Sequence, residues 1–327
     1  MSEDTNIERG ERGGRGERGG REERGERGGR PEGRREGRGG PGGRGGDRRP
    51  RVQRVLEVVG TERLTPHLVR VHLGGDGFAA FYAEADPERL AQTDKYIKIL
   101  FAKPELGLEP PYDLDALRGT LAPEDMPVRR TYTVRSVDAE AGSIAVDFVV
   151  HGDEGIAGPW AATASIGDKV AFSGPGGQFR PSDDDVEHLF IGDDSAIPAI
   201  DAAIEALSPS ARGLALIEVD SAQDEIPITG PAGVEVRWLH RRGADGTTAG
   251  FGTVLIDAVS ALPVPTAEVE VFAHGEREAM KQLRHILQAD WGLDRRALSL
   301  SAYWAQGRSE DRFQAEKREP VGQIFED

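Results

Sequence analysis

Near residue 180 the hydrophobic rhythm of the chain changes, and that change constrains the fold more than any other feature. Before it, short alternating segments rich in β-branched and aromatic residues recur at 51–59, 68–73, 96–101, 130–137, 143–151 and 169–173, most of them separated by Gly, Pro or Asp. Period-two alternation over such short runs is the pattern of half-buried strands, and six of them with loops between suggest an antiparallel barrel. The stretch 102–128 is a long Pro-rich connection without a clear period. A loop of that length inside a domain is usually functional or mobile. After Pro181-Ser182-Asp183-Asp184-Asp185 the pattern becomes strand-like at 188–191, 213–219, 234–239, 269–273 and 298–302, and helix-like at 197–207, 252–262 and 276–288. The last helix carries Ala279, Leu283, Ile286 and Leu287 on one face. Strands alternating with helices imply a parallel sheet with helices on both faces, which binds ligands outside the strand carboxyl ends. The expected class is therefore α+β in two domains. An antiparallel six-stranded β-barrel spans 51–182 and an α/β parallel-sheet domain spans 186–308, with the Asp triplet as a solvated linker and 309–327 as a C-terminal extension.

The first fifty residues stand outside that scheme. They hold 14 Arg, 11 acidic residues and 17 of the chain's 43 Gly, with Met1 and Ile7 as the sizeable apolar side chains. A segment with nothing to bury cannot offset its ordering entropy, so residues 1–50 are expected to be a disordered tail. Its Arg-Gly-Gly units could contact RNA, but the interleaved acids nearly cancel the arginines, and a solubilising extension is the simpler reading. Removing the tail (+3, from 14 − 11) leaves 27 Lys+Arg against 46 Asp+Glu, or −19. Phosphate repels a body this acidic, so a general nucleic-acid partner is not expected, and an anionic ligand would need a local basic pocket. The chain has no cysteine, which excludes disulfides, thiolate nucleophiles and Cys-ligated iron–sulfur clusters. No apolar run reaches the length of a membrane span and no signal-peptide core is present, so a cytoplasmic, monomeric protein without membrane or bound metal is expected.

Three stretches carry candidate chemistry. In Arg130-Thr131-Tyr132-Thr133-Val134-Arg135-Ser136, alternation places Arg130 and Tyr132 on one face and Thr133 on the other unless the strand twists. Arginine offers a permanently charged planar fork for a diphosphate, tyrosine a packing surface and threonine a hydrogen bond. A surface strand with incidental arginines would look the same. Phe148-Val149-Val150-His151-Gly152, followed by Gly155-Ile156-Ala157-Gly158-Pro159-Trp160-Ala161, reads as a strand, a Gly-rich turn and a short helix at 160–164. Such a turn lets backbone N–H groups approach a phosphate, and it is also an ordinary β-to-α connection. His188-Leu189-Phe190-Ile191-Gly192-Asp193-Asp194-Ser195-Ala196-Ile197-Pro198-Ala199 is again strand, glycine turn and helix, without the G-x-G-x-x-G fingerprint. Asp193 and Asp194 would oppose a phosphate there.

In order, these pieces resemble the siderophore-interacting proteins, flavin reductases of the ferredoxin-reductase superfamily. The resemblance spans roughly 50–308 and includes Lys95-Tyr96-Ile97-Lys98, the Arg130–Arg135 run, Phe148 through Trp160-Ala161, and Gly167-Asp168. It continues through Gly174-Pro175-Gly176-Gly177, Gly192–Ala199, Trp238-Leu239-His240-Arg241, Gly275-Glu276 and Ala302-Tyr303-Trp304-Ala305-Gln306-Gly307. It implies FAD in the barrel domain. Arg130, Tyr132, Thr133 and Arg135 would hold its ring and diphosphate, His151 and Gly152 would meet the ring edge by backbone, and Gly155, Ala157, Gly158 and Trp160 would form the diphosphate turn. It implies a nicotinamide cofactor in the second domain, with Ser195, Ala196, Gly275 and Glu276 at that site. Arg241 and Arg242 occupy the place where the superfamily holds a 2′-phosphate, favouring NADPH over NADH. The family's common phosphate turn is Gly-Pro-Ala-Ser. Here Ile156 stands for the proline and Gly158 for the serine, so only backbone N–H groups remain for the diphosphate.

The implied function is reduction of a ferric siderophore by electrons passed from NAD(P)H through the flavin, releasing Fe(II). Flavin accepts a hydride and delivers single electrons, so no protein catalytic nucleophile or acid–base pair is needed. Lys95, Lys98 and Arg241 are the expected contacts to an anionic siderophore, and solvated surface cations are the plainer reading of the same residues. Tyr303 and Trp304 would pack near the flavin or at the domain seam. The alternatives are a ferredoxin-dependent or general flavin reductase of the same family, and a non-enzymatic siderophore- or flavin-binding protein whose tail recruits RNA or a partner.

Overall fold

The computed structural model describes residues 52–150 and 155–325. The expected disordered tail at 1–50 and two expected site residues, His151 and Gly152, lie outside the described residues.

The six expected N-terminal strands are present and close into an antiparallel barrel. They are β1 (Arg54–Thr65), β2 (Leu68–Gly74), β3 (Tyr96–Phe101), β4 (Val128–Asp138), β5 (Ser143–Val149) and β6 (Lys169–Gly176), ordered β1-β2-β5-β4-β3-β6. β1 runs past its expected end because it turns directly into β2 and pairs with it as far as Thr65 opposite Leu68. Its second half exposes Glu62 and Arg63, so hydrophobic alternation does not reveal it. Along β5, Ile144, Val146 and Phe148 are fully buried in the barrel core with Leu56, Ile97 and Phe172. Two short helices, α1 (Phe78–Glu84) and α2 (Pro87–Leu90), lie between β2 and β3, and the Phe81 ring packs 5.5 Å from Phe172. The long connection before β4 contains one short α-helix, α3 (Leu114–Arg118), between 3-10 turns at Pro104–Leu106 and Pro123–Asp125, and the Asp113 side chain starts it by accepting from Asp115 and Ala116 N–H. α4 (Ala157–Thr163) follows β5 and sets Trp160 5.5 Å from Phe148 and 5.3 Å from Phe101.

The second half is a parallel sheet of β7 (Glu187–Asp193), β8 (Arg212–Val219), β9 (Gly233–His240), β10 (Val269–Glu276) and β11 (Leu298–Trp304), ordered β11-β10-β7-β8-β9. β7 is central and buried along six of its seven residues, as a parallel strand covered on both faces should be. α5 (Ile197–Glu205) covers one face with Phe190, Ala215, Ile217 and Phe272 beneath it. α6 (Thr253–Ser260) and α7 (Arg277–His285) cover the other over Ile191, Leu216, Val271 and Ala273. A single short turn, Ala222–Asp224, stands between β8 and β9, so the helices divide one against two. α8 (Glu310–Glu316) follows β11. No described helix is long and apolar enough to cross a membrane.

The sheet meets the barrel through α5, which lies against β4, and through an apolar seam. In that seam Phe179, just after the barrel, packs 4.8 Å from the fully buried Phe272 of β10. Burying a phenylalanine of this kind contributes about 1.5–3 kcal/mol. Because β8 lies on one side of β7 and β10 on the other, the strand order reverses at the β7–β10 boundary. A crevice is expected outside the carboxyl ends of the strands at such a point.

Candidate functional site

A cavity of about 1080 Å³ opens there, between β3, β4 and β6 of the barrel, the carboxyl ends of the parallel strands, and α8. It is large enough for a ligand bigger than a typical drug. Of the expected site residues, Lys98, Arg130, Tyr132, Thr133 and Ser195 line it.

β4 supplies the barrel wall. Its alternation sends Tyr132 and Val134 into the barrel core, where the Tyr132 ring sits 4.3 Å from Phe148. Thr133 and Arg135 therefore face the parallel sheet. Thr133 is buried in the cavity wall, which Tyr303 from the end of β11 also lines. Arg135 does not reach the cavity wall. Its Nε donates to Asp201 Oδ2 at 2.6 Å and its NH1 to Glu205 Oε2 at 2.7 Å, both on α5. A register shift between Val134 and Ser136 marks this point of the strand. Arg130 lines the cavity and meets Asp311 of α8 through both terminal nitrogens, at 3.2 and 3.1 Å. Lys98 stands on β3 with its ammonium 5.6 Å from the Tyr96 ring. Lys95 is turned inward, donating to the Gln92 carbonyl at 2.9 Å, and burial and then nearby Arg135 lower its pKa.

None of Gly155, Ala157, Gly158 and Trp160 is among the lining residues, although Val149, beside Gly158 at the end of β5, is. Gly155 adopts a left-handed φ of 80° with open space around it, a conformation that favours glycine. Ala157 and Gly158 pack α4 onto the barrel, and a Cβ at Gly158 would come within 3.4 Å of the Val149 carbonyl.

The sheet side is organised by Asp193, at the end of β7. Its carboxylate accepts from Ser195 N at 3.0 Å, from the Ser195 hydroxyl, from Glu276 N at 2.8 Å and from Trp304 Nε1 at 2.8 Å. One side chain thus ties together the carboxyl ends of β7, β10 and β11. Gly275 permits the approach, since a Cβ there would lie 2.6 Å from Asp193 Oδ2. Gly192 likewise admits Ala196, whose Cβ would stand 2.6 Å from an added one, and Ala196 is fully buried as a result. Burial, and then Asp194, pushes the Asp193 carboxyl up from its ordinary value. Glu276 is occupied as the cap of α7, accepting from Glu278 N at 2.6 Å and Ala279 N at 3.0 Å, and from Gln306 N at 3.1 Å.

Arg241 is enclosed rather than presented. It is 4% exposed, with Asp194 and Glu218 each at 3.4 Å and its guanidinium 4.7 Å from the Phe251 ring. The backbone N–H of Arg241 continues the β8–β9 pairing by donating to Val219 O, which draws its side chain under the turn. Arg242, the next residue, is 60% exposed at its side chain and pairs with Asp220 at 2.9 Å.

Several cavity residues escape a reading of the sequence. His274 of β10 stacks on Phe272 at 3.9 Å and bonds Ser299 Oγ through Nε2 at 3.1 Å. Its Nδ1 is buried with no partner among the described residues, and burial lowers its pKa to about 3, so the ring is neutral. Glu310 and Gln314 come from α8 and Lys317 from its C-cap. Ser309 caps that helix and two acids occupy its first turn, a start signal the sequence does carry. Glu316 anchors α8 by accepting from Arg277 at 2.6 Å, Arg308 at 2.9 Å and Arg312 at 2.8 Å, which hold its carboxyl down at about 2.

Residues 57–179 match the family model of the siderophore-interacting FAD-binding domain, and residues 186–307 match that of the siderophore-interacting protein. Ferric vibriobactin reductase ViuB of Vibrio cholerae is 32% identical over 279 residues, covering 83% of this chain and 96% of the relative. The NADPH-dependent ferric-chelate reductase of Escherichia coli is 27% identical over 259 residues, covering 77% and 92%. The crystal structure of a siderophore utilization protein from T. fusca superposes with a TM-score of 0.65 at 34% identity, covering 80% of this chain and 95% of that one. A barrel and a parallel sheet that share one cavity, each matched over nearly its whole length, place this chain in the siderophore-interacting protein family of FAD-binding proteins.

Proposed function

We propose that this protein reduces ferric siderophores, taking electrons from NADPH through FAD held in the cavity between β4 and the carboxyl ends of the parallel strands. The observation that carries the reading is the cavity itself. One wall has the Arg130-Thr131-Tyr132-Thr133 run, the other has the β7–β10 switch point with Ser195, and the volume between them is about 1080 Å³. The residues fit a flavin. The cavity mixes apolar and aromatic surface with a few converging polar groups, and the unpartnered His274 Nδ1 in its wall calls for a ligand or solvent atom.

Bound FAD would supply the conversion of a two-electron donor into one-electron steps that the side chains cannot perform. The chain supplies position and charge. Tyr132 gives a packing surface backed by Phe148, and Thr133 a hydroxyl at the cavity wall. Arg130 offers its fork to the diphosphate after exchanging Asp311, whose side chain is 62% exposed. The turn at Gly155–Trp160 offers backbone N–H groups to the same diphosphate. Arg135 braces β4 from behind. On the sheet side, the Ser195 hydroxyl donates its hydrogen bond to Asp193, so its oxygen is left to accept from a nicotinamide amide. Arg242 is the cation with reach to a 2′-phosphate, because Arg241 is spent on Asp194 and Glu218. The cavity wall sets five cations, Arg89, Lys98, Arg130, Arg295 and Lys317, against four acids, Asp94, Asp147, Asp194 and Glu310, a far less acidic balance than the body's net −19 (27 − 46 outside the tail), which favours an anionic ferric chelate.

The test is an anaerobic Fe(II)-trapping assay on FAD-loaded full-length protein, with a panel of ferric siderophores and with NADPH, NADH or reduced ferredoxin as donor. Fastest Fe(II) release with NADPH is expected. Protein that stays colourless after incubation with FAD refutes the reading, and turnover with ferredoxin alone replaces its donor.

A further inference from the structure

We propose that Asp220 is a specificity-determining residue of the nucleotide site. Its carboxylate, set beside Arg242, accepts from the adenosine ribose 2′-hydroxyl of NADH and opposes the 2′-phosphate of NADPH, so that the protein uses both donors. The assignment rests on the NAD(P)H reading of the parallel sheet.

The strand order gives Asp220 its place. Taken from the β9 edge, the sheet runs β9-β8-β7-β10-β11, which is third, second, first, fourth and fifth in chain order, with the reversal at the β7–β10 boundary. In sheets of this order a dinucleotide crosses the carboxyl ends, where an acid bonds the ribose 2′-hydroxyl of NAD and a nearby arginine accommodates the 2′-phosphate of NADP. Asp220 is the first residue after β8, the second strand, and Arg242 is the second residue after β9, the third. Both determinants are present, and they are bonded to each other. Arg242 NH2 donates to Asp220 Oδ2 at 2.9 Å, and the Arg242 backbone N–H donates to the Asp220 carbonyl, also at 2.9 Å. Backbone pairing thus holds acid and base as one unit.

The neighbouring acids are engaged elsewhere. Asp224 accepts from Ser221 N at 3.2 Å and Ser221 Oγ at 3.1 Å and meets His67 Nδ1 at 2.7 Å, and Glu225 meets His240 Nε2 at 2.7 Å. The Asp220 side chain is 20% exposed and that of Arg242 60%, so both reach solvent. A carboxylate has about four lone-pair sites and a guanidinium five N–H donors, so their mutual bond leaves acceptors for a ribose hydroxyl and donors for a phosphate. NADH meets an acceptor for its 2′-hydroxyl. NADPH gains Arg242 but brings about two negative charges up to Asp220. Arg242 sets the preference for NADPH, and the repulsive element beside it keeps that preference small.

The test uses full-length FAD-loaded protein and compares wild type, Asp220→Ala, Asp220→Asn and the double variant Asp220→Ala with Arg242→Ala. Readouts are the dissociation constants of NADP+ and NAD+, titrated without turnover, and kcat/KM for anaerobic flavin reduction by NADPH and NADH. Wild type should bind both nucleotides. Asp220→Ala should weaken NAD+ about fivefold through the lost hydrogen bond and tighten NADP+ about threefold through the lost repulsion. Asp220→Asn, which removes the charge and keeps an acceptor, should tighten NADP+ by about the same factor and change NAD+ by no more than about twofold. The double variant should bind the two nucleotides within about twofold of each other, since neither 2′ determinant remains. An unchanged NADP+ to NAD+ preference in the single variants overturns the proposal. So does an equal weakening of both nucleotides, which a purely structural role in the β8–β9 connection would produce, and so does a wild type that binds NADP+ alone. Wild-type flavin that neither nucleotide reduces removes the donor reading itself, and that result is visible before any variant is made.

Discussion

Arg135→Met tests whether this arginine serves the seam or the cofactor. The guanidinium bridges β4 to Asp201 and Glu205 of α5 at 2.6 and 2.7 Å, with side-chain exposures of 14% for Arg135, 8% for Asp201 and 64% for Glu205. Removing one partner of a buried pair costs about 3–5 kcal/mol. The exposed Glu205 contact adds little, and Arg70 remains near Asp201 to offset part of the loss. The expected cost is therefore about 2–3 kcal/mol, or roughly 1 M in the urea midpoint. Burial already raises the Asp201 carboxyl against the pull of Arg135, and without the guanidinium it rises further. A carboxyl raised in the folded state withdraws stability as pH climbs through its folded value, and withdraws none below its unfolded value near 4. The deficit should accordingly be larger at pH 8 than at pH 5. Because Arg135 lies outside the cavity wall, FAD affinity should change by no more than about twofold. An unchanged urea midpoint together with a tenfold loss of FAD affinity would refute this reasoning and assign Arg135 to the cofactor.

Three further outcomes are expected. Glu316→Gln should flatten the acid limb of stability: the wild-type carboxyl, held at about 2 by three arginines, contributes fully above its ordinary value near 4.5 and loses that contribution as pH falls through about 2, so urea titrations from pH 5 to pH 2 should converge for the two proteins. Phe272→Ala opens a cavity at the seam with Phe179 and His274 and should cost about 3–5 kcal/mol in urea unfolding. Arg242→Ala should lower kcat/KM for NADPH about tenfold while leaving NADH unchanged. An equal loss with both donors would instead place Arg242 outside the 2′-phosphate site.

The fold was legible because periodicity reports burial. β5 and β7 bury nearly every residue and stand out in the sequence as β-branched and aromatic runs. α1 and α8 are seven residues each, too short to show a period, and they fold because Phe78, Phe81 and Phe313 find buried places supplied by distant segments. The candidate site was legible where residue type and position coincide, as at Arg130, Tyr132, Thr133 and Ser195. It was not legible where a charge has a partner far away in sequence. Two arginines of suitable type, Arg135 and Arg241, are consumed by Asp201 and Glu205 and by Asp194 and Glu218, and nothing local to either arginine announces its acid.

By itself, then, the sequence determined a barrel followed by a parallel sheet, and which strand ends carry polar groups. Backbone pairing and side-chain alternation are local, with periods of two and near four. Only the tertiary structure decided which of those groups face the cavity. Whether a guanidinium is available or neutralised, as at Arg135 against Asp201 and Glu205, depends on how α5 packs against β4. That packing is settled by the burial of Phe179 against Phe272, a contact between two domains that no local pattern encodes.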